Sequence, residues 1–158
     1  LYQAGQAYDL RLAGGEALNA LRIEKGFVHW GSDMAYTESP HQIGLDFACR
    51  IDKDIAFTGK AAYLARRAEA KGPFLCSLKL QQPDAMLHHN EPVLRDGVIV
   101  GFITSGAFSA VQGSAVALCL IEPPAGNSGD KALEKGDYSV LVEGRAIPAI
   151  LQRKRFTH

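Results

Sequence analysis

The chain has 158 residues, 47% of them apolar, and 17 Lys and Arg balanced by 17 Asp and Glu, so its formal net charge is zero. That length and apolar content allow one full-sized domain with a real core, or one domain and part of another. The even charge balance argues against a nucleic-acid binder, which carries a basic excess or stripe.

Residues 1–10 read as a helix entered without an N-cap, and nothing there resembles a secretory signal. The absence of a leading Met, and the abrupt run Arg153-Lys-Arg-Phe-Thr-His158 at the other end, suggest a piece of a longer protein. A second helix is expected over Gly15 to Lys25, with Ala17, Leu18, Ala20 and Leu21 as an apolar stripe at helical spacing. Gly26 suits the left-handed position that closes it, and Lys25 complements the helix dipole. Gly31 to Pro40 is a polar loop. Leu45-Asp-Phe-Ala-Cys-Arg-Ile51 alternates and reads as a strand. Thr58 is the expected N-cap of a third helix through Lys71, with Ala and Leu at its buried positions and Arg66 and Arg67 exposed.

After Gly72-Pro73 the periodicity changes. Alternating or apolar runs cover Phe74 to Leu80, Pro92 to Leu94, Val98 to Phe108, Ala115 to Ile121, Tyr138 to Val142 and Ile147 to Leu151. Asp96-Gly97 and Glu143-Gly144 sit between such runs, where glycine takes positive φ without steric cost, and they signal hairpins. The nearly uncharged stretch 98–121 resembles a membrane span in composition alone; Gly101, Gly106 and Gly113 interrupt it, so it reads as two buried strands. Residues 123–136 form a long polar loop. The expected fold class is therefore α+β: a helical piece over residues 1–72, then a small antiparallel β-barrel over 73–158.

The most suggestive segment for chemistry is the loop His29-Trp-Gly-Ser-Asp33, which places an aromatic beside a carboxylate as a site for a flat polar ligand would. The plainer reading is that Trp30 plugs the interface between helices and barrel while Asp33 caps the loop. Arg22 and Glu24, two apart on a helix, face differently and each anchors a neighbouring element. His88 and His89 point apart on an extended chain and make a poor metal pair. The hydroxyl-rich run Thr104-Ser-Gly-Ala-Phe-Ser109 contains no Gly-x-Ser-x-Gly, so a hydrolase reading fails. No phosphate-binding glycine motif occurs. Cys49, Cys76 and Cys119 are widely spaced in apolar runs and read as buried free thiols in a reducing compartment rather than metal ligands or disulfides. No metal site and no membrane-spanning segment is expected.

Several phrases, in order, resemble the folate-binding aminomethyltransferases: Ala17-Leu-Asn-Ala-Leu-Arg-Ile-Glu-Lys-Gly26, His29-Trp-Gly-Ser-Asp33, Ser39-Pro40 with Gly44-Leu45, Phe57-Thr-Gly-Lys-Ala-Ala62 and Val100-Gly-Phe-Ile-Thr-Ser-Gly-Ala-Phe-Ser109. That family includes the glycine cleavage T-protein and the C-terminal halves of sarcosine and dimethylglycine dehydrogenases; the His-Trp-Gly-x-Asp form is closer to the dehydrogenase-fused branch. The resemblance implies one-carbon transfer to tetrahydrofolate, with FAD confined to an upstream domain, and location in a bacterial cytoplasm or the mitochondrial matrix. It implies that residues 1–72 are the end of a folate-binding domain whose preceding part is a partner, and that Trp30, Asp33 and Arg22 bind the cofactor. The family's catalytic aspartate lies in the preceding segment, so no catalytic residue is assigned here and this chain alone is expected to be inactive. Leu18 stands where the T-protein pattern has a folate-contacting arginine, a contact leucine cannot make. A non-catalytic folate-binding or protein-interaction module of the same fold is the alternative.

Overall fold

The computed structural model describes every residue except 70, 127–129, 154 and 157–158. Six strands, β1 (Phe74–Leu80), β2 (Pro92–Arg95), β3 (Val98–Ser109), β4 (Ser114–Ile121), β5 (Tyr138–Val142) and β6 (Arg145–Gln152), close into an antiparallel barrel in the order β1-β4-β3-β2-β5-β6. Each strand meets its expected run within two residues. Asp96-Gly97 and Glu143-Gly144 all take positive φ, the requirement of the tight turns joining β2 to β3 and β5 to β6. The barrel interior holds one face of each strand: Cys76, Leu78 and Leu80 of β1 meet Ala117 and Cys119 of β4, Val93 of β2 and Val140 of β5. The stretch 98–121 is indeed two strands, β3 and β4, paired through a turn. Within the polar loop, residues 127–129 lie outside the described residues; Asp130–Glu134 forms a 3-10 turn whose Leu133 plugs the barrel core.

The opposite face of β1 and β4 carries a second apolar cluster. There Leu75, Val116 and Leu118 pack with Ala107 of β3, Ile23 of helix α2 (Gly15–Glu24) and Ile43. This cluster joins the helical segment to the barrel, and full burial of a side chain such as Ile23 is worth about 1.5–3 kcal/mol. Helix α2 closes as expected, on Gly26 in the left-handed region.

Four expectations for the N-terminal segment are corrected. Residues 1–10 make only a short α1 (Tyr2–Gly5) and a 3-10 turn, neither of which buries a residue. Of the expected stripe on α2 only Ala20 packs inward; Ala17 is exposed, Leu18 is 68% and Leu21 55% exposed, because the helix docks through the face of Asn19, Ala20, Ile23 and Glu24. Polar contacts select that face, the Asn19 amide donating to the Gly106 carbonyl and Ser109 Oγ donating to Glu24 at 2.5 Å. The strand expected at Leu45–Ile51 is instead a helical turn, α3 (Asp46–Cys49). A closed barrel offers no free edge to pair with it, and the Asp46 carboxylate is tied to Tyr63 Oη and Arg67 of helix α4 (Lys60–Glu69). Finally, α4 starts at Lys60, after Gly59 rather than Thr58, ends before Lys71, and buries Tyr63 while Leu64 stays partly exposed. Arg66 and Arg67 are exposed as expected.

Candidate functional site

The loop after α2 is a tight turn. The Gly31 amide donates to the Met34 carbonyl and the Asp33 amide to the His29 carbonyl, with Trp30 and Met34 bridged side by side. Met34 packs inward on the second cluster. Asp33 is 0% exposed. Its Oδ2 accepts from Arg22 Nη1 at 2.7 Å and from the His29 amide at 2.9 Å. Its Oδ1 accepts from Thr104 Oγ1 at 2.6 Å and Ser105 Oγ at 2.7 Å. Ser105 Oγ in turn accepts from Arg22 Nη2 at 2.8 Å, closing a ring of charge-assisted bonds.

Two consecutive strand residues ordinarily point to opposite faces. Thr104 and Ser105 reach one carboxylate because β3 bulges between Ile103 and Ser105, leaving Thr104 out of the register with β4, to which its hydroxyl also donates at the Leu118 carbonyl. The bulge carbonyl of Thr104 accepts from His89 Nδ1 at 2.7 Å, which puts the proton on that nitrogen and leaves Nε2 as the ring's other face. The Asn90 amide donates to the Ile103 carbonyl, so residues 89–91 follow β3 at the bulge.

The plainer reading of the loop holds for Asp33, which caps it through the His29 amide, and fails for Trp30, which plugs no interface. Asp33 is the buried anchor, and Trp30 is the side chain left out, 63% exposed. Immediately after it, Gly31 and Ser32 line a cleft of about 710 Å³ whose other walls are His89 and Asn90, Phe102 and Thr104 of β3, and Leu120 of β4. Sequence reasoning brought together Arg22, Trp30 and Asp33, and the structure joins Arg22 to Asp33 directly. It missed Thr104 and Ser105 as their partners; the hydroxyl pair was visible, but the bulge that aims both at one point was not. Arg22 and Glu24 do anchor different elements, Asp33 and Ser109. His88 is exposed, and among the described residues no three His, Cys, Asp or Glu side chains converge as a metal site would require.

The chemistry available follows from this wiring. With both oxygens of Asp33 engaged, the carboxylate cannot accept from a ligand without breaking the ring. The ring ties Arg22 of α2, the loop and β3 together, and the Trp30 side chain stands outside it. Leu18 is exposed and offers no donor.

Comparison with known proteins agrees with this architecture. Residues 74–157 match the glycine cleavage T-protein C-terminal barrel domain, and residues 1–53 the GCVT N-terminal domain. The 4-methylaminobutanoate oxidase (formaldehyde-forming) of Paenarthrobacter nicotinovorans is 38% identical over 99% of this chain, which covers 18% of that protein. The mitochondrial dimethylglycine dehydrogenase of Rattus norvegicus is 38% identical over 69% of this chain and 13% of its own length. The crystal structure of the glycine cleavage system aminomethyltransferase T from Bartonella henselae superposes with a TM-score of 0.72 at 20% identity, over 89% of this chain and 40% of that one. The chain thus spans a minor part of each relative, and with a matched barrel, a matched preceding segment and the shared fold, it belongs to the glycine cleavage T-protein family.

Proposed function

We propose that the chain is the C-terminal part of a tetrahydrofolate-dependent aminomethyl (one-carbon) transfer domain, carried by a flavin-linked protein that oxidises an N-methyl amine. The observation that carries this reading is the exposed indole of Trp30 on an immobilised turn beside a cleft. The names of two relatives, an oxidase of 4-methylaminobutanoate and a dehydrogenase of dimethylglycine, both describe N-methyl amines and support the substrate class. In this reading residues 1–72 end the folate-binding domain and residues 73–158 are its barrel. Free thiols fit a reducing compartment, bacterial cytoplasm or mitochondrial matrix; among the described residues no helix is long and apolar enough to cross a membrane.

The residues present fit one wall of a folate site. Trp30 supplies a stacking face for a flat ring. His89 and Asn90 supply polar groups within the cleft, and Phe102 and Leu120 its apolar surface. Asp33 and Arg22 act on the cofactor through Trp30, by holding the turn, rather than by touching it. Bound tetrahydrofolate would supply the nitrogen that captures the one-carbon unit. Flavin chemistry and the family's catalytic aspartate belong to preceding parts of the parent protein, which are its partners in this reading.

Trp30 is the only tryptophan of these 158 residues, and in the full-length parent its emission is read as the difference between the unsubstituted protein and Trp30→Phe. Tetrahydrofolate should quench it saturably in the full-length parent, and Trp30→Ala should weaken folate affinity by about 1–3 kcal/mol, the value of stacking one base on an aromatic ring. Because the indole is exposed, that variant should keep its thermal stability. Unchanged folate affinity in Trp30→Ala would refute the reading and favour the interaction module.

A further inference from the structure

A second cavity, about 590 Å³, shares no lining residue with the cleft beside Trp30 and is walled in part by Leu75 of β1 and Leu118 of β4. Three segments distant in sequence meet there: the end of α2 (Lys25 and Gly26), the turn at His41 to Asp46, and the chain leaving β6 (Arg153 and Arg155). The last approaches the first closely, since a Cβ on Gly26 would lie 3.5 Å from Cβ of Arg155.

The charge on its walls is one-sided. Asp46 is already matched by Arg67 and the Tyr63 hydroxyl. Arg153 donates to the carbonyls of Leu75 and His41 and stacks over the Phe74 ring, which fixes its guanidinium. Lys25 and Arg155 have no carboxylate within ion-pair distance among the described residues. The dipole at the end of α2 accounts for Lys25 in part and for Arg155 not at all. Besides these cations, Nε2 of His41 is buried and has no hydrogen-bond partner among the described residues, while its Nδ1 faces Ser39 Oγ at 3.1 Å. A buried polar atom without a partner calls for one, and the three cations that line the same cavity, Lys25, Arg153 and Arg155, select negative charge.

We propose that this cavity binds a multiply charged oxyanion, either a phosphate group or clustered carboxylates. Lys25 and Arg155 supply the attraction, Arg153 the fixed edge, and His41 Nε2 a hydrogen bond once protonated. The site stands apart from the folate reading: a chain that holds the anion but not folate refutes that reading and leaves this one intact.

The test uses inorganic phosphate and citrate as probes, with chloride at matched ionic strength, followed through the His41 ring resonances in NMR. His41 is identified among the five histidines by their loss in His41→Gln. Saturable movement by phosphate alone assigns a phosphate site, and by citrate alone a carboxylate site. An oxyanion should also raise the midpoint at which His41 titrates, because it favours the imidazolium. Lys25→Met and Arg155→Gln, both at exposed side chains, should each weaken binding about tenfold. Resonances unmoved by both anions, an equal response to chloride, or undiminished binding in the double variant would overturn the proposal.

Discussion

Replacing Asp33 removes the acceptor for four donors at once, which makes it the sharpest probe of how the loop is held. In Asp33→Ala the Arg22 guanidinium, whose side chain is only 19% exposed, keeps its position under the loop without a counter-charge. Breaking a buried pair by deleting one partner costs about 3–5 kcal/mol. In a chain of 158 residues that lowers the thermal midpoint by roughly 6–20 °C. Asp33→Asn keeps the volume but offers one accepting oxygen in place of two and turns an N–H towards donors, a cost of about 2–3 kcal/mol. The assay is urea unfolding followed by Trp30 emission and by circular dichroism together. Trp30 sits three residues from the anchor, so its emission should also shift in the folded variant as the turn loosens. Combining Asp33→Asn with Arg22→Met should cost less than the sum of the two, because the second change removes the stranded cation. Stability of Asp33→Ala within about 1 kcal/mol of the unsubstituted chain would refute the claim that this ring holds loop, helix and barrel together.

Three other outcomes are expected. Burial lowers the His41 pKa, against the opposing pull of Asp46 and with help from Arg67, Arg153 and Arg66. The unfolded chain therefore binds the proton first, so stability should be complete above the ordinary value of 6.5 and fall as pH drops through the lowered one; thermal midpoints measured from pH 7 down to pH 5 should lose this component in His41→Gln. Burial also pushes the Cys119 thiol well up, and Cys76 is buried beside it, so alkylation of the native chain should modify Cys49 first and reach the other two only on unfolding, as peptide mass mapping would show. A Cβ on Gly106 would lie 2.5 Å from the Leu87 carbonyl oxygen, so Gly106→Ala should cost about 1–3 kcal/mol, read as a lower urea midpoint at unchanged slope.

The barrel was legible in the sequence because its signals are local. Period-two runs and Asp-Gly or Glu-Gly turns specify strand and hairpin from neighbouring residues, and all six strands appeared where those signals stood. The family was legible too, through ordered phrases rather than any single motif. What the sequence left undecided was orientation. Helix α2 has apolar residues on the face with Leu18 and Leu21, yet it docks on the face with Ile23, because Asn19, Arg22 and Glu24 find partners on β3 and in the loop. Leu45–Ile51 alternates like a strand, but a closed barrel has no edge for it and Asp46 is drawn to α4. The full burial of Asp33 and the exposure of Trp30 were undecided as well. A carboxylate is buried only where enough donors converge, and the donors here come from β3, more than seventy residues away, aimed by a bulge that no local pattern announces. Local propensity set the elements; long-range hydrogen bonding to a buried charge decided which faces meet and which aromatic ring is left to the solvent.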